Sequence, residues 1–260
     1  IKLLILLMKI FLTVDSFKSI MVYAFSKLTW IPLINKLLNI ETKGLEKLSN
    51  KENYLFAMTH RGGLDFILAL AKIVPKTNKK LFTIVHNHYY YAAWPISICY
   101  DFLKLSTNKT RKKYNDHLLT VIDKLKQGEN VLIFPEGGYT HQKKKVLARG
   151  YTGVIRLAIK SKKKIIPIGL TGSDDVYKFP IGSKNPFKFN CKRKITMNFG
   201  DPFSVEKYFN LNLNKFNKKN KEILRRVTDD LMMQLSKLTN FKYRPDIVVT
   251  KSLFDFVRKV

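Results

Sequence analysis

Residues 53–65 read NYLFAMTHRGGLD. The first seven carry no charge and are apolar enough for a short buried strand, and His60-Arg61-Gly62-Gly63 follows as a turn. From Leu64 the apolar spacing becomes helical, which predicts a helix over 64–74 closed by Pro75. The same change of period recurs downstream. Residues 130–134, NVLIF, predict a buried strand cut off by Pro135, and further strands are expected at 81–85, at 164–170 (KIIPIGL, with Pro167 inside) and at 195–199. Helices are expected at 108–126, with Leu118, Leu119, Ile122 and Leu125 on one side and Gly128 as its stop, at 150–161 and at 215–238. Strands alternating with helices predict an α/β fold with a mostly parallel central sheet and flanking helices.

The chain has 48 Lys and Arg against 19 Asp and Glu, a formal charge of +29, yet 45% of its 260 residues are hydrophobic. That much apolar side chain excludes a disordered basic tail. The charge fits solvated faces rich in lysine, an anionic membrane surface, a phosphorylated substrate or nucleic acid. Zinc-finger spacing, an RNA-recognition signature and a basic zipper are all missing, which counts against nucleic acid. Cys99 and Cys191 cannot form a disulfide framework or a C-x-x-C metal pair.

Residues 1–40 are mostly Ile, Leu, Met, Phe, Val, Tyr and Trp, interrupted by Lys2, Lys9, Asp15, Lys18, Lys27 and Lys36. The interruptions leave no run of about 18 apolar residues, so a spanning helix is not expected. Amphipathic helices lying in the lipid interface fit the pattern, and so does a pair of core helices. The division expected is therefore 1–40 as N-terminal membrane-interface helices and 41–260 as one α/β domain. The uncharged stretch 81–100 is broken by His86, His88 and Pro95 and is not read as a span; its Tyr89–Tyr91 run and Trp94 suit a core or an apolar groove.

The chemistry-bearing residues sit where strands end. A G-x-S-x-G elbow, a P-loop, a G-x-G-x-x-G turn and an H-E-x-x-H helix are all lacking, which removes most hydrolase and nucleotide-binding readings. His60 and Asp65 flank the Gly-Gly turn at the carboxyl end of a predicted strand, where open α/β sheets place ligand sites. On a continuous helix the two would diverge by about 140°. A turn at the glycines can instead fold the pair together, leaving one imidazole nitrogen as a base. The second constellation is Phe134-Pro135-Glu136-Gly137, at the end of the next strong strand.

HRGGLD at 60–65, FPEG at 134–137, Arg149-Gly150 and the strand IIPI at 165–168, in this order, resemble the glycerophospholipid acyltransferase family typified by 1-acylglycerol-3-phosphate acyltransferase. The resemblance covers about residues 53–205. The departures are Thr59 and Gly62 in the first block, where Asn and Ser are usual. In the second block STNK at 106–109 stands for an Asp-Arg step, with Lys109 as the stand-in and Arg111 behind it. After FPEG, Tyr139 stands where the family has an arginine thought to help hold acceptor phosphate.

The resemblance implies an O-acyltransferase that moves a fatty acyl group from acyl-CoA or acyl carrier protein to the free hydroxyl of a lysophospholipid, with no metal and no covalent intermediate. The implied acceptor is 1-acylglycerol-3-phosphate and the product phosphatidic acid; another lysophospholipid or an aminolipid is the alternative acceptor. His60 would be general base and Asp65 its orienting partner. Glu136 and Gly137 would shape the acceptor site, with nearby backbone N–H groups facing the oxyanion. Lys109 would pair with phosphate, and Arg149, Gly150 and Pro167 would belong to the substrate-binding blocks. Membrane phospholipid is the expected partner and nucleic acid is not. The enzyme is expected to be peripheral or monotopic at the cytoplasmic face.

Overall fold

The computed structural model describes residues 15–86, 90–91, 96–105, 111–139, 145–177, 189–213 and 217–249. Two helices, α1 (Asp15–Leu28) and α2 (Trp30–Leu37), lead into β1 (Asn39–Lys43), then β2 (Leu55–Met58) and α3 (Asp65–Thr77). There follow β3 (Leu81–His86), the short α4 (Ile96–Cys99), β4 (Leu103–Leu105), α5 (Arg111–Lys126), β5 (Asn130–Ile133) and β6 (Val146–Leu147). The chain continues through α6 (Gly153–Ser161), β7 (Ile165–Thr171), α7 (Ser173–Val176), β8 (Lys194–Phe199), α8 (Lys218–Thr239) and β9 (Lys242–Tyr243).

Seven strands form one sheet in the order β1-β8-β7-β2-β5-β3-β4, and β6 pairs with β9 apart from it. Every neighbouring pair in the large sheet is parallel except β7 with β8. Helices cover both faces, which is why β2 reads as an unbroken apolar run: all four of its residues are buried. Alternation along the strand divides them. Phe56 and Met58 pack with Leu68, Ile73 and Val74 of α3 and with Tyr23 of α1, while Leu55 and Ala57 face Leu118 and Ile122 of α5, Ile155 and Leu157 of α6, and Leu231 of α8. At Gly169 the α8 backbone comes so close that a Cβ would stand 2.6 Å from that of Leu238, so only glycine lets the last helix lie on β7.

Several local expectations are corrected. Pro75 does not end its helix; α3 runs on to Thr77 and closes at Asn78 in the left-handed conformation. Proline deprives only the Ala71 carbonyl of its partner, and Asn35 Nδ2 of α2 reaches that oxygen at 3.5 Å. Leu119 is exposed, and Val121 takes its place on the inner face of α5. The strands β1, β4, β6 and β9 were not legible, being short, half polar or both. Tyr91 is exposed rather than buried, with Lys104 Nζ above its ring; Tyr89 and Trp94 lie outside the described residues.

The N-terminal helices are part of the core as well as of the surface. Tyr23 is buried, and its hydroxyl donates to Leu81 O at 3.1 Å and accepts from Leu81 N at 3.2 Å, so it satisfies the first residue of β3 ahead of the β4 ladder. Burial pushes the phenol above its usual range, which keeps that donor proton in place. Trp30 Nε1 donates to the Tyr100 hydroxyl, which also bonds Ser26 Oγ, both at 2.8 Å. The opposite side of α1 shows Met21, Phe25 and Leu28, the last 82% exposed, and α2 adds Leu33 and Leu37. Among the described residues no helix is long and apolar enough to cross a membrane.

Replacing Tyr23 by Phe strands the amide and carbonyl of Leu81 in a buried place. Tyr23→Phe should lower unfolding stability by about 1–3 kcal/mol in a urea titration with unchanged slope; an unaltered midpoint would show that these bonds contribute nothing.

Candidate active site

Three strands deliver the site at their carboxyl ends. β2 leads through Thr59 to His60, β5 to Phe134-Pro135-Glu136-Gly137, and β7 through Gly172 to Ser173. Thr59 locks two of them together: its hydroxyl donates to Leu170 O at 3.0 Å and accepts from Leu170 N at 2.9 Å, filling the ladder position just past the end of β2.

Asp65, the first residue of α3, has no exposed surface. Its Oδ2 lies 2.8 Å from His60 Nδ1 and accepts the backbone N–H of Arg61 at 2.6 Å and of Gly62 at 2.8 Å. Ser173 Oγ donates to Oδ1 at 2.6 Å. A carboxylate only accepts, so Nδ1 carries the proton and the lone pair of the neutral imidazole is on Nε2. The turn expected at the glycines is what makes this possible: the chain reverses between His60 and Asp65, and the Asp65 amide reaches back to Gly62 O at 3.3 Å.

The imidazole is held on its flat sides as well. Phe134 stacks on it with centroids 3.9 Å apart and planes 18° apart, and Tyr139 lies at 4.2 Å and 45°. Its side chain keeps 17% of its surface exposed. Glu136 is 1% exposed: Oε1 accepts the His60 N–H at 3.4 Å and Oε2 the Ala148 N–H at 2.9 Å. The carboxylate therefore ties the histidine loop to the segment after β6. Gly137 adopts φ +73°, and a Cβ there would stand 2.6 Å from the Tyr151 ring. Its N–H donates to Phe134 O at 3.0 Å, so this amide is not one of the expected oxyanion donors.

The structure thus brings His60, Asp65, Glu136 and Gly137 together and sets Arg149-Gly150 beside the turn after β5, between Ala148, which donates to Glu136, and Tyr151, whose N–H donates to Pro135 O at 2.7 Å. Gly150 is buried, a Cβ there would stand 2.7 Å from Met232 Sδ, and its carbonyl accepts Arg225 Nη1 at 2.7 Å. Arg149 is exposed, on an open groove of about 720 Å³ that it lines with Tyr151, Lys221, Arg225 and Asp229. Pro167 is buried inside β7 opposite Ala57 and away from the strand end; its carbonyl accepts Gly200 N at 2.8 Å. It is tolerated there because the neighbouring strand stops at Phe199, so the missing amide breaks no regular ladder. Lys109 lies outside the described residues, as do Lys143 and Lys144, and only the backbone of Arg111 is described.

Ser173 and the two rings on His60 were not anticipated. Ser173 follows β7 after a single glycine, and the rule that sites gather at carboxyl strand ends would have found it. Arg61 is also buried, with Nη2 3.0 Å from Asp174 Oδ2 and its guanidinium 4.9 Å above the Phe241 ring.

The described residues thus hold the His60 imidazole against a buried Asp65 at the carboxyl ends of β2 and β7. The chain belongs to the acyltransferase family, whose model, Acyltransferase, matches residues 39–171, from the start of β1 to the end of β7. In fold it is similar to the crystal structure of the 1-acyl-sn-glycerophosphate (LPA) acyltransferase PlsC from Thermotoga maritima, with a TM-score of 0.56 and 16% identity over 86% of this chain and 80% of that one. Curated protein sequences include no significant match.

Glu136→Gln should separate the architectural role of that residue from a substrate role. The amide places a donor against the N–H of His60 or Ala148, so the unfolding midpoint should fall by an amount equivalent to about 1–3 kcal/mol. An unshifted midpoint with a raised acceptor KM would return Glu136 to the acceptor site.

Proposed function

We propose that the protein transfers a fatty acyl group from an acyl thioester, acyl-CoA or acyl carrier protein, to the free hydroxyl of a lysophospholipid. Within that class the reading favoured is 1-acylglycerol-3-phosphate as acceptor and phosphatidic acid as product. The observation that carries it is the 2.8 Å contact between His60 Nδ1 and the buried Asp65, which leaves Nε2 as an accepting base. A lipid hydroxyl is too weakly acidic to attack unaided at neutral pH, so proton removal as the C–O bond forms is the assistance it needs.

In the proposed reaction, Nε2 takes the hydroxyl proton while the oxygen adds to the thioester carbonyl. Asp65 stabilises the imidazolium through the Nδ1 bond. Collapse of the tetrahedral intermediate breaks the C–S bond, and the imidazolium returns its proton to the departing thiolate. Ester and free thiol form in equal amounts. The choice of acceptor is supported by the matching blocks of sequence and by the likeness in fold to the 1-acyl-sn-glycerophosphate acyltransferase of Thermotoga maritima. Tyr139, uncharged and lying on His60, favours the second reading, a lysolipid whose headgroup is not gripped by an arginine at that point. Lys109 remains the proposed phosphate contact in the first.

A membrane-surface location, peripheral or monotopic at the cytoplasmic face, is supported by Met21, Phe25 and Leu28, which recur at helical spacing on the outer side of α1, and by Leu33 and Leu37 on α2. The +29 charge would draw the protein to anionic lipid.

Turnover is tested by thiol release from acyl-CoA and acyl carrier protein donors with a panel of lysolipids. His60→Ala should lower it at least about a hundredfold, and Asp65→Asn should also cost a large factor; near-normal turnover by either variant would contradict the mechanism. In vesicle flotation the double variant Phe25→Asp, Leu28→Asp should lose binding to anionic vesicles that high salt alone does not release. Retained binding by that variant would leave charge as the whole attraction.

A further inference from the structure

The turn after β5 grips His60 in three ways. Glu136 accepts the backbone N–H, Phe134 lies flat on the imidazole, and Tyr139 lies 4.2 Å from it. Phe134 stacks on one face with planes 18° apart and the Nδ1 edge is engaged by Asp65, so a second ring centred at 4.2 Å and tilted 45° has the other face to lie against. Gly137 explains how two residues of one short segment reach opposite sides. Its positive φ reverses the chain between Phe134 and Tyr139, and the Tyr151 ring beneath it leaves no room for a side chain.

One hydrogen bond does not fix an imidazole, because the ring can still roll about the Nδ1···Oδ2 line and swing Nε2 away from its target. A stacked Phe134 and a Tyr139 ring tilted 45° against the imidazole restrict that roll, while the side chain keeps 17% of its surface exposed. They also displace water from the ring faces, and water is the chemical competitor here. It can give its proton to Nε2 and add to the same thioester carbonyl, so that the C–S bond breaks and the products are fatty acid and thiol in place of ester and thiol.

Resting on the acyl-transfer reading, we infer that Tyr139 is a positioning residue that closes the second face of the catalytic imidazole, aiming Nε2 at the acceptor hydroxyl and keeping water from using the base. The flat ring is the working part, and the phenolic oxygen is dispensable for this role.

The test measures thiol release with and without lysolipid acceptor, together with ester formed, for the full chain and for Tyr139→Ala, Tyr139→Phe and Tyr139→Leu. Tyr139→Ala should form ester about tenfold more slowly, since a base aimed wrongly by an ångström loses that much or more. Its acceptor KM should be unchanged, and its acceptor-independent thiol release should rise severalfold. Tyr139→Phe should recover both properties, and Tyr139→Leu, which fills space without a flat face, should not. Unchanged partition between ester and fatty acid in Tyr139→Ala overturns the inference. So does recovery by Leu, or a Phe variant as impaired as Ala. Carbon-13 histidine spectra supply a check independent of turnover: the His60 Cε1–H proton, identified by its loss in His60→Ala, should be shielded by the two rings and move downfield in Tyr139→Ala. A resonance that stays in place overturns the clamp even if activity falls. A native chain that is inactive on every lysolipid overturns the acyl-transfer reading and leaves the clamp to this spectroscopic result.

Discussion

Asp65 is a fully buried carboxylate that meets two backbone amides, a serine hydroxyl and the His60 imidazole, and the candidate site is arranged around those four donors. Burying such a group unaided costs several kcal/mol, and each donor left behind by its removal would carry a penalty of about 1–3 kcal/mol. The cost is met by elements far apart in sequence: β2 supplies the histidine and the turn, α3 the carboxylate itself, and the end of β7 the serine. Loss of any one of these loosens the tautomer of His60, because the Nδ1 proton is defined by what accepts it. Fold and chemistry therefore share one constraint.

The sheet makes the constraint possible by placing β2 at its centre, between β7 and β5, so that three strand ends converge on one rim. Parallel pairing needs helices on both faces, and the alternation of Phe56 and Met58 against Leu55 and Ala57 supplies an apolar surface for each. Thr59 then extends the ladder by side chain where the backbone of β2 has turned away. Glu136 plays the corresponding part for the turn after β5, joining it to the histidine loop and to Ala148. Its position in FPEG suggested a part in the acceptor site, and the structure shows it buried and bonded to two backbone amides.

Much of this was legible because strand, turn and helix differ in period. NYLFAMT followed by HRGG and an apolar helix can hardly be another element, and the His60–Asp65 contact follows once the glycines are read as a reversal. What escaped notice depends on contacts without a local signature. β1 and β4 are too short and too polar to show alternation, and the stacking of Phe134 and Tyr139 on His60 arises from a turn whose handedness only Gly137 hints at. Arg149, Gly150 and Pro167 were placed in substrate blocks by resemblance. In three dimensions Gly150 packs against Met232, Pro167 lies inside β7 opposite Ala57, and Arg149 lines a groove together with Tyr151 and Lys221. In the N-terminal helices Tyr23 and Ile31 enter the core while Phe25 and Leu28 remain outside, a division that the interrupted apolar pattern of residues 1–40 did not resolve.

The central claim is that the acceptor hydroxyl, and not a side chain of the enzyme, attacks the thioester. It is tested most directly by rapid quench of the full chain with isotopically labelled acyl thioester and lysophospholipid, followed by intact-protein mass spectrometry and lipid analysis. The account predicts one lipid ester for each thiol released and no protein species heavier by an acyl group at any time. An acyl-enzyme that forms before the ester and decays as the ester appears would contradict it.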